Sequence, residues 1–299
     1  MTDTIHYYQC PLCGCHALKQ HVTATDRLVS GKQFTIVKCD GCGLFLTQDA
    51  PSATAIGQYY QSVKYLPHNG QRTAISFLYR IARSLMFHRK LSLIHRYSKR
   101  QHGALIDVGA GDGHFMAFMR RRGWQVTGCE QSGHARAEAE KKFGLQIDGD
   151  VMSCNYPSEN ADVITAWHAV EHIHELHAVW DRFNCWLKPE GTLFVAVPNC
   201  DSWDAKYYGG NWAAWDVPRH LWHFNEKSIT DLASQHGFVM VGSHPLPIDA
   251  CYIALLSERN KIKAIINSLR FMLLGARDSR RASSLIYVFK KRKHIPLEL

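Results

Sequence analysis

The sequence has no apolar run long enough to cross a membrane and no recognisable secretion signal. A transmembrane helix needs about 18 to 20 consecutive apolar residues, whereas the longest apolar stretches towards the C-terminus, 271–274 and 285–289, are far shorter. Residues 1–6 contain no basic stretch that leads into an apolar segment. These absences argue against an integral membrane protein and predict a cytoplasmic location.

Ten cysteines are present, and without a secretion signal they indicate reduced thiols and a metal site more than a disulfide framework. Four of them form two CxxC pairs that are each followed by glycine, Cys10 with Cys13 and Cys39 with Cys42. Four thiolates can surround one Zn²⁺ ion tetrahedrally, and the glycines permit the tight turns of such a site. Residues 1–50 are therefore predicted to form a zinc ribbon, whose closed ligand set makes it structural or recruiting and not catalytic.

Basic residues outnumber acidic ones, which gives a formal net charge of +9. Much of the excess lies in residues 80–100 and 259–293. Solvated basic faces explain such runs in most proteins, and the alternatives are an anionic substrate, RNA or an acidic membrane surface. The helix expected at 257–274 is apolar and basic by turns. It either packs on the domain and caps the active site, or touches a membrane or a lipid-linked acceptor.

From residue 104 onward, apolar segments of strand length alternate with helical patterns. Strands are predicted at 104–108, 125–130, 145–150, 161–166, 191–197, 238–243 and 285–290, and helices at 114–122, 133–143, 174–187 and 226–236. This rhythm predicts an α/β fold with a doubly wound, parallel, Rossmann-like sheet. The expected organisation is a zinc module at 1–50, a helical connection at 51–103 and the α/β domain at 104–299, with insertions at about 199–225 and 257–280.

A glycine-rich turn follows the first of these strands. Asp107 belongs to the end of the strand, and Gly109, Gly111 and Gly113 follow with GxGxG spacing, whereas a dinucleotide site has GxGxxG. The absence of GKS and GKT argues against a nucleoside triphosphate loop. Glu130 ends the next strand, where a carboxylate can bind both hydroxyls of a ribose. S-adenosylmethionine (SAM), which has a ribose but no phosphate, suits this layout. The alternative is a generic strand–turn–helix unit of another α/β enzyme.

With these motifs in order between residues 104 and 245, the sequence resembles the class I SAM-dependent methyltransferases. The likeness is greatest to the branch of ubiquinone-type O-methyltransferases and bacterial sugar and polysaccharide methyltransferases, some of which carry a similar zinc module. The resemblance implies that Gly109 and Gly111 line the methionine part of SAM, that Glu130 binds its ribose and that Asp150 lies near its adenine. It further assigns to the cofactor site Asp107, Ala110, Gly113, Gln131, Val151, Trp167 and Tyr60, the last in a cluster with Tyr59 and Tyr65.

The segment that follows the strand at 161–166 is the first candidate for the acceptor side of the site. His168, Glu171 and His172 match the HxxEH pattern of an inverted zinc protease, but their place in the methyltransferase order disfavours that interpretation. Quinone methyltransferases hold a divalent cation with a similar ExxEH stretch, in which His168 here replaces the first glutamate. We predict that His172 is the general base for an acceptor hydroxyl, because an imidazole titrates near neutral pH. The alternative is a structural or orienting histidine.

The second candidate is the aromatic segment 211–224, which follows the strand at 191–197. Trp faces can stack on a ring or a sugar, and an arginine can bind a carboxylate or phosphate through two hydrogen bonds. The residues predicted to contact the acceptor are His168, Trp212, Trp215, Arg219 and His223, with His220 as a second catalytic histidine. The alternative is an aromatic plug beneath a loop.

The function that these patterns favour is methylation of a small molecule, such as a sugar, a quinone-like compound or a lipid-linked precursor. Oxygen is the favoured acceptor atom, with carbon and nitrogen as the alternatives. One alternative is an RNA methyltransferase that uses the zinc ribbon and the basic surface. Against it, the Asn/Asp-Pro-Pro-Tyr/Phe motif of amino-methylating enzymes is absent after 161–166. Another alternative is a non-catalytic SAM-fold module whose zinc ribbon recruits a partner.

Overall fold

A computed structural model describes residues 3–60 and 74–292 of the chain, so the Tyr65 position lies outside the described residues. The strands of this part are β1 (Thr4–Ile5), β2 (Leu18–Thr25), β3 (Gln33–Cys39), β4 (Phe45–Thr47), β5 (Ala50–Pro51), β6 (Ala104–Val108), β7 (Gln125–Cys129), β8 (Ala161–Trp167), β9 (Leu187–Pro198), β10 (Trp222–His223), β11 (Phe238–Pro245) and β12 (Ser284–Lys291). The α-helices are α1 (Ala74–Ser98), α2 (His114–Arg120), α3 (Gly133–Phe143), α4 (Leu176–Trp186), α5 (Trp203–Tyr208), α6 (Glu226–Gln235), α7 (Pro247–Ser257) and α8 (Lys261–Arg277).

The largest sheet has six strands in the order β11-β12-β9-β8-β6-β7. Four neighbours, β9, β8, β6 and β7, are parallel, whereas β12 runs antiparallel to both β9 and β11. The expectation of a wholly parallel sheet is corrected at this strand. The chain leaves β11, passes through α7 and α8 and re-enters the sheet at the end where β9 and β11 finish. There Asn199 N–H donates to the Ser283 carbonyl at 2.9 Å and Leu246 N–H to the Ser284 carbonyl at 3.0 Å.

Helices cover both faces of this sheet, which confirms the doubly wound α/β prediction. On one face Ile94 of α1 and Phe115 of α2 pack against Phe194 of β9. On the other face Trp180 of α4 lies edge-on to Phe289 of β12, with ring centroids 5.4 Å apart. Apolar side chains of the central strands are buried from both sides, as expected for parallel strands between two helical layers.

The strand predicted at 145–150 does not form. A single bridge joins Cys129 to Asp148 beyond the end of β7, and no strand is assigned there within the described residues. Asp150 redirects the chain, because its carboxylate accepts the Met152 N–H at 2.6 Å and starts the 3-10 turn Val151–Ser153. Side-chain capping of this kind competes with sheet formation.

The N-terminal residues form a four-stranded antiparallel sheet in the order β10-β4-β3-β2, and β1 pairs separately with β5. Strand β10 comes from the aromatic segment 211–224, and it pairs Trp222 with Leu46 and His223 with Phe45. The Cys-rich module and the predicted acceptor insertion therefore share one sheet.

The helical excursion before β12 consists of two helices instead of the single one expected at 257–274. Helix α7 begins at Pro247, where the missing N–H of proline costs nothing. Helix α8 begins after Asn260, whose side-chain oxygen accepts the N–H groups of Ile262 and Lys263. Among the helices of residues 3–60 and 74–292, none has the length and apolar character of a membrane span.

Candidate cofactor and acceptor site

The four predicted metal ligands come together at the N-terminal module. Their ligand atoms lie within 4.8 Å of one another, with the sulfurs of Cys10 and Cys42 3.5 Å apart and those of Cys13 and Cys39 3.6 Å apart. Three of the four side chains are buried, and Cys13 is exposed. Burial raises the pKa of the Cys42 thiol to about 11. A divalent cation would offset this burial cost by stabilising the thiolates, so the donor set and its geometry suit a tetrahedral metal.

The glycine turn has the backbone that its spacing predicts. Gly109, Gly111 and Gly113 have φ angles of +73°, +56° and +75°, a region that side-chain-bearing residues rarely adopt. A Cβ atom at Gly109 would lie 2.6 Å from the Cβ of Ala169, whereas one at Gly111 would meet open space. The turn therefore packs against the loop after β8 at one glycine and leaves room for a ligand at the next.

Glu130 lies across the opening of this turn. Its carboxylate accepts the Gly111 N–H at 2.9 Å and the Ser132 N–H at 2.8 Å, which fixes it between the glycine turn and the start of α3. Its neighbour Gln131 is exposed, and Ala110 is buried beside the turn. A half-buried carboxylate held in this way can accept hydroxyl groups from a ligand lying over the turn.

Asp107 lies deeper, with only 1% of its surface exposed. It accepts the Thr165 hydroxyl at 2.6 Å. Burial raises the pKa of Asp107 to about 7, although Lys90 and the Thr165 hydrogen bond oppose that shift. Burial likewise lowers the pKa of Lys90 to about 8. The Lys90 ammonium lies 4.2 Å from the ring centroid of Trp167, so it makes a cation–π contact with the last residue of β8.

The residues expected at the adenine end lie beyond the end of β7. Asp150 is exposed and uses its carboxylate as the cap described above, whereas Val151 is buried. Tyr156 donates its hydroxyl to Asp148 at 2.8 Å in the same region. At the expected adenine end, a ligand can therefore contact the apolar Val151 side chain and the backbone around Asp150.

His168 is bound between two carboxylates. Its Nε2 lies 2.9 Å from Asp249 and its Nδ1 lies 3.4 Å from Glu171. Burial disfavours the imidazolium, but Asp249 and Glu171 outweigh that effect and raise the pKa of His168 to about 10. Its backbone has a left-handed φ of +54°. His168 is therefore a fixed cation at neutral pH and a poor proton acceptor.

His172 lies next to a different set of groups. Its Nδ1 is 3.0 Å from the Arg219 carbonyl and 3.1 Å from the Tyr60 hydroxyl. A carbonyl can only accept, so we assign the ring hydrogen to Nδ1, which leaves the Nε2 lone pair as the acceptor. Burial, with nearby charges on Glu171 and Glu130, raises the pKa of Tyr60 above its ordinary value, so this hydroxyl stays protonated.

His220 and Glu171 complete a cluster with His172. One ligand atom from each lies within 4.8 Å of the other two. Nδ1 of His220 is 2.9 Å from the Ala214 carbonyl, and burial together with His172 lowers the pKa of His220 to about 4. Glu171 is 1% exposed, and apart from the His168 ring at 3.4 Å its oxygens have no hydrogen-bond partner. A buried carboxylate beside two imidazoles offers ligand atoms that can hold a divalent cation.

Arg219 lies inside the protein, with 1% of its surface exposed. Its guanidinium contacts Asp26 at 3.2 Å and Asp216 at 2.7 Å, and donates to the Tyr59 carbonyl at 3.1 Å. This placement departs from the expected role as an anion ligand, because these internal partners already engage the guanidinium. Arg219 instead joins the N-terminal cysteine module to the loop that carries His220.

The Trp residues of the aromatic segment are buried as well. Trp212 and Trp215 are each 2% exposed and their indole N–H groups donate to Asp204 and to the Gly209 carbonyl. His223 is 4% exposed, with Nε2 3.0 Å from the Thr47 hydroxyl. The structure instead places these three in the aromatic plug that was the alternative interpretation. Trp212 and Trp215 pack in one cluster with Phe45 of the four-stranded sheet, and His223 is itself a residue of that sheet.

Sequence reasoning missed three residues of the site. Lys90 comes from a basic run in α1, Asp249 from the first turn of α7, and Asp26 from the end of β2. None lies in a motif. Each reaches the site only by contacting a residue that is distant from it in the sequence: Lys90 contacts Trp167, Asp249 contacts His168 and Asp26 contacts Arg219. The basic run around Lys90 was the only signal available, and it indicated a solvated face.

A family model described as "Methyltransferase domain" matches residues 82–242, more than half of the chain. Among curated relatives, the ubiquinone biosynthesis O-methyltransferase of Paramagnetospirillum magneticum is 29% identical over 129 residues, which cover 40% of this chain and 51% of that protein. That of Rhodopseudomonas palustris is 28% identical over 149 residues, covering 46% and 58%. The chain thus spans about half the length of the curated relatives it matches.

The phosphoethanolamine N-methyltransferase 2 of Haemonchus contortus, solved with S-adenosyl-L-methionine, superposes with a TM-score of 0.53 and 14% identity. The superposition covers 83% of this chain and 63% of that one. At this identity the likeness concerns the fold alone, and it agrees with the six-stranded sheet and its helical layers. The chain therefore belongs to the methyltransferase domain family, with the Rossmann-like fold of the class I SAM-dependent methyltransferases.

Proposed function

We propose that this protein transfers a methyl group from SAM to an oxygen atom of a small-molecule acceptor, with His172 as the general base. The observation that carries the proposal is the contact between Gly109 and Ala169, which joins the glycine turn to the loop holding His168 and His172. A cofactor over the turn and an acceptor beside His172 would share one site.

The roles of the residues follow from their hydrogen bonds. Glu130 binds the ribose hydroxyls, and the unblocked backbone at Gly111 faces the methionine part of the cofactor. His172 takes the acceptor proton on Nε2, while the Arg219 carbonyl orients the ring through Nδ1. His168 is held as a cation by Asp249 and Glu171 and attracts an anionic acceptor. When bound, SAM supplies a sulfonium methyl group for in-line displacement, which makes alignment a large part of the catalysis.

The proposal includes one structural metal, and it includes a second metal only as an alternative to His172 as the base. Zinc is assigned to the four-cysteine cluster as a structural ion. At Glu171, His172 and His220 a divalent cation would act as a Lewis acid on the acceptor hydroxyl, in place of His172 as base. Activity that survives chelation of weakly bound cations would favour the base, and activity that requires Mg²⁺ or Mn²⁺ would favour the cation.

The test combines His172→Gln with labelled SAM and fractionated cell extract. We expect transfer to fall by about 10²- to 10⁴-fold while S-adenosylhomocysteine still raises the melting temperature. The matched control is His134→Gln, an exposed histidine of α3, which should leave transfer unchanged. Full activity of the His172 variant would refute the base. No thermal response of the unmodified protein to SAM or S-adenosylhomocysteine would refute the cofactor.

The same experiment separates the RNA and non-catalytic alternatives. Labelling that disappears after ribonuclease treatment of the extract, with affinity for RNA that falls steeply with salt, would favour an RNA methyltransferase. Cofactor binding without transfer to any fraction would favour a partner-binding module.

A further inference from the structure

Helix α8 turns its apolar side chains towards solvent. Its inward face carries small and polar residues beside one aromatic, Ala264, Asn267, Ser268, Phe271 and Gly275. Its outward face carries five aliphatic side chains that are 57–73% exposed, here called the α8 stripe: Ile262, Ile265, Ile266, Leu269 and Leu273. A helix that only packed on its own domain would have the opposite arrangement.

The side chains of the inward face already have partners within the protein. Asn267 donates to the Tyr208 hydroxyl at 3.1 Å, and the buried Phe271 lies against the Tyr208 ring. The Ser268 hydroxyl is satisfied within α8 by the Ala264 carbonyl at 2.7 Å. The orientation of α8 is therefore fixed by specific contacts, and the stripe faces outward as a consequence. The spacing of its members, i, i+3, i+4, i+7 and i+11, makes one continuous apolar row.

Apolar exposure continues on the neighbouring helix. On α7, Tyr252, Leu255 and Leu256 are 65%, 40% and 43% exposed. The two helices contact each other through Cys251 and Met272, whose sulfurs are 3.3 Å apart. Soluble proteins seldom expose so many large aliphatic side chains together unless the patch has a partner.

The charge around the α8 stripe identifies that partner. From Glu258 to Arg281 the chain carries seven Lys and Arg residues and two acidic residues, Glu258, which pairs with Lys263 at 3.2 Å, and Asp278. Lys261, Lys263 and Arg270 lie in α8 itself and are exposed. An apolar row with basic flanks matches the boundary between acyl chains and anionic headgroups.

A second copy of the chain fits less well, because symmetric pairing of this face would bring like charges together. A peptide helix normally binds in a groove, whereas the side chains of the α8 stripe project from the surface. We propose that the α7–α8 hairpin docks on an anionic lipid surface, with the α8 stripe entering the headgroup region. The proposal stands independently of the methyl acceptor.

The first test is sedimentation of the full chain with vesicles. We expect binding to vesicles that contain phosphatidylglycerol, weak binding to pure phosphatidylcholine, and release as salt rises, because the charge contribution is screened. The variant Ile262→Gln/Ile265→Gln/Leu269→Gln should lose binding on the order of tenfold or more. The matched control is Val239→Gln/Val241→Gln, which replaces two exposed apolar residues of β11 and should bind like the unmodified protein.

A charge variant provides the second test. Arg259→Gln/Lys261→Gln should weaken binding to anionic vesicles and flatten its salt dependence, whereas Lys32→Gln/Lys141→Gln, at exposed lysines elsewhere, should not. All variants change exposed side chains, and an unchanged melting temperature confirms that they fold. Absence of binding to anionic vesicles, or equal losses in stripe and control variants, would overturn the proposal. So would a dimer that the stripe variant converts to monomers without any vesicle binding.

Discussion

Single backbone positions hold the glycine turn in contact with the loop that follows β8. Gly109 is confined by Ala169 and Gly111 faces open space, although both have positive φ angles. Glu130 then fixes the turn through the Gly111 N–H. A side chain at Gly109 would therefore overlap with Ala169, whereas a side chain at Gly111 would occupy the space left for a ligand.

We expect Gly109→Ala to lose cofactor affinity and stability together. The left-handed φ costs about 1–2 kcal/mol and the overlap of the new Cβ with Ala169 costs a further 1–3 kcal/mol or so. Calorimetric titration with S-adenosylhomocysteine and a melting curve measure the two effects. Gly144→Ala, with a φ of +58° and open space, is the control and should cost stability only. Equal affinities for both variants would contradict the proposed cofactor position.

Buried neutral histidines set the acid stability. Burial, with His172 beside it, lowers the pKa of His220 to about 4, and burial, with His220 and His21, holds the pKa of His223 well below its usual range. The unfolded chain binds these protons near pH 6.5 and the folded chain does not. Stability is therefore complete above about pH 6.5 and falls as the pH drops towards 4, by roughly 3 kcal/mol for His220.

Chemical denaturation between pH 8 and pH 4 measures this loss. His223→Gln removes one of the two titrating groups, so its stability should decline less steeply below pH 6.5 than that of the unmodified protein. His134→Gln, at an exposed position, should follow the unmodified protein. A parallel decline for all three proteins would show that these buried imidazoles do not set the acid stability.

Among the elements, α6 has the most complete N-terminal cap. The Asn225 side chain accepts the Ser228 N–H at 2.9 Å while the Asn225 N–H donates to the Ser228 hydroxyl at 3.1 Å. The Asn225 amide also reaches the Gly43 carbonyl beside the second cysteine pair, at 3.4 Å. The same residue thus starts a helix of the α/β domain and contacts the zinc module.

We expect Asn225→Ala to reduce the free energy of unfolding by about 1–2 kcal/mol, because both the cap and the contact to the module are lost. Asn260→Ala removes the exposed cap of α8 and should cost about 0.5–1 kcal/mol. Urea denaturation of the two variants gives the comparison. A smaller loss for Asn225→Ala than for Asn260→Ala would mean that the contact to Gly43 contributes nothing.

For the whole molecule, the N-terminal cysteine module and the α/β domain share one interior. Cys10, Leu12 and Cys39 belong to the same buried cluster as Phe224 and Leu232. Gln235 donates to the Leu12 carbonyl at 3.2 Å, and Arg219 binds Asp26 of the module from the loop that carries His220. The module therefore supports the loop that carries His220.

Removal of the metal should destabilise the entire chain. We expect a strong chelator, or Cys13→Ser, to lower the melting temperature of a single cooperative transition and to release one zinc ion per chain in a chromophoric assay. Cys185→Ser, at an exposed free thiol, is the control and should change neither quantity. Two separate transitions after chelation would show that the module unfolds alone.

Local sequence patterns were sufficient to predict the cysteine cluster, the glycine turn and most strands and helices of this protein. The cysteine spacing, the GxGxG turn and the strand–helix rhythm from residue 104 each act within a short stretch, so their geometry follows from neighbours along the chain. The strand predicted at 145–150 failed for a local reason too, since the Asp150 cap competed with sheet pairing.

Only the tertiary structure decided which way long side chains face. Arg219 is bound by Asp26, 193 positions away, and His168 by Asp249. Trp212 and Trp215 are buried against residues of the four-stranded sheet, such as Phe45. The outward turn of the α8 stripe likewise depends on Tyr208 holding Asn267. Periodicity identifies an apolar face but not what covers it, because burial is set by contacts between segments that are distant in the sequence.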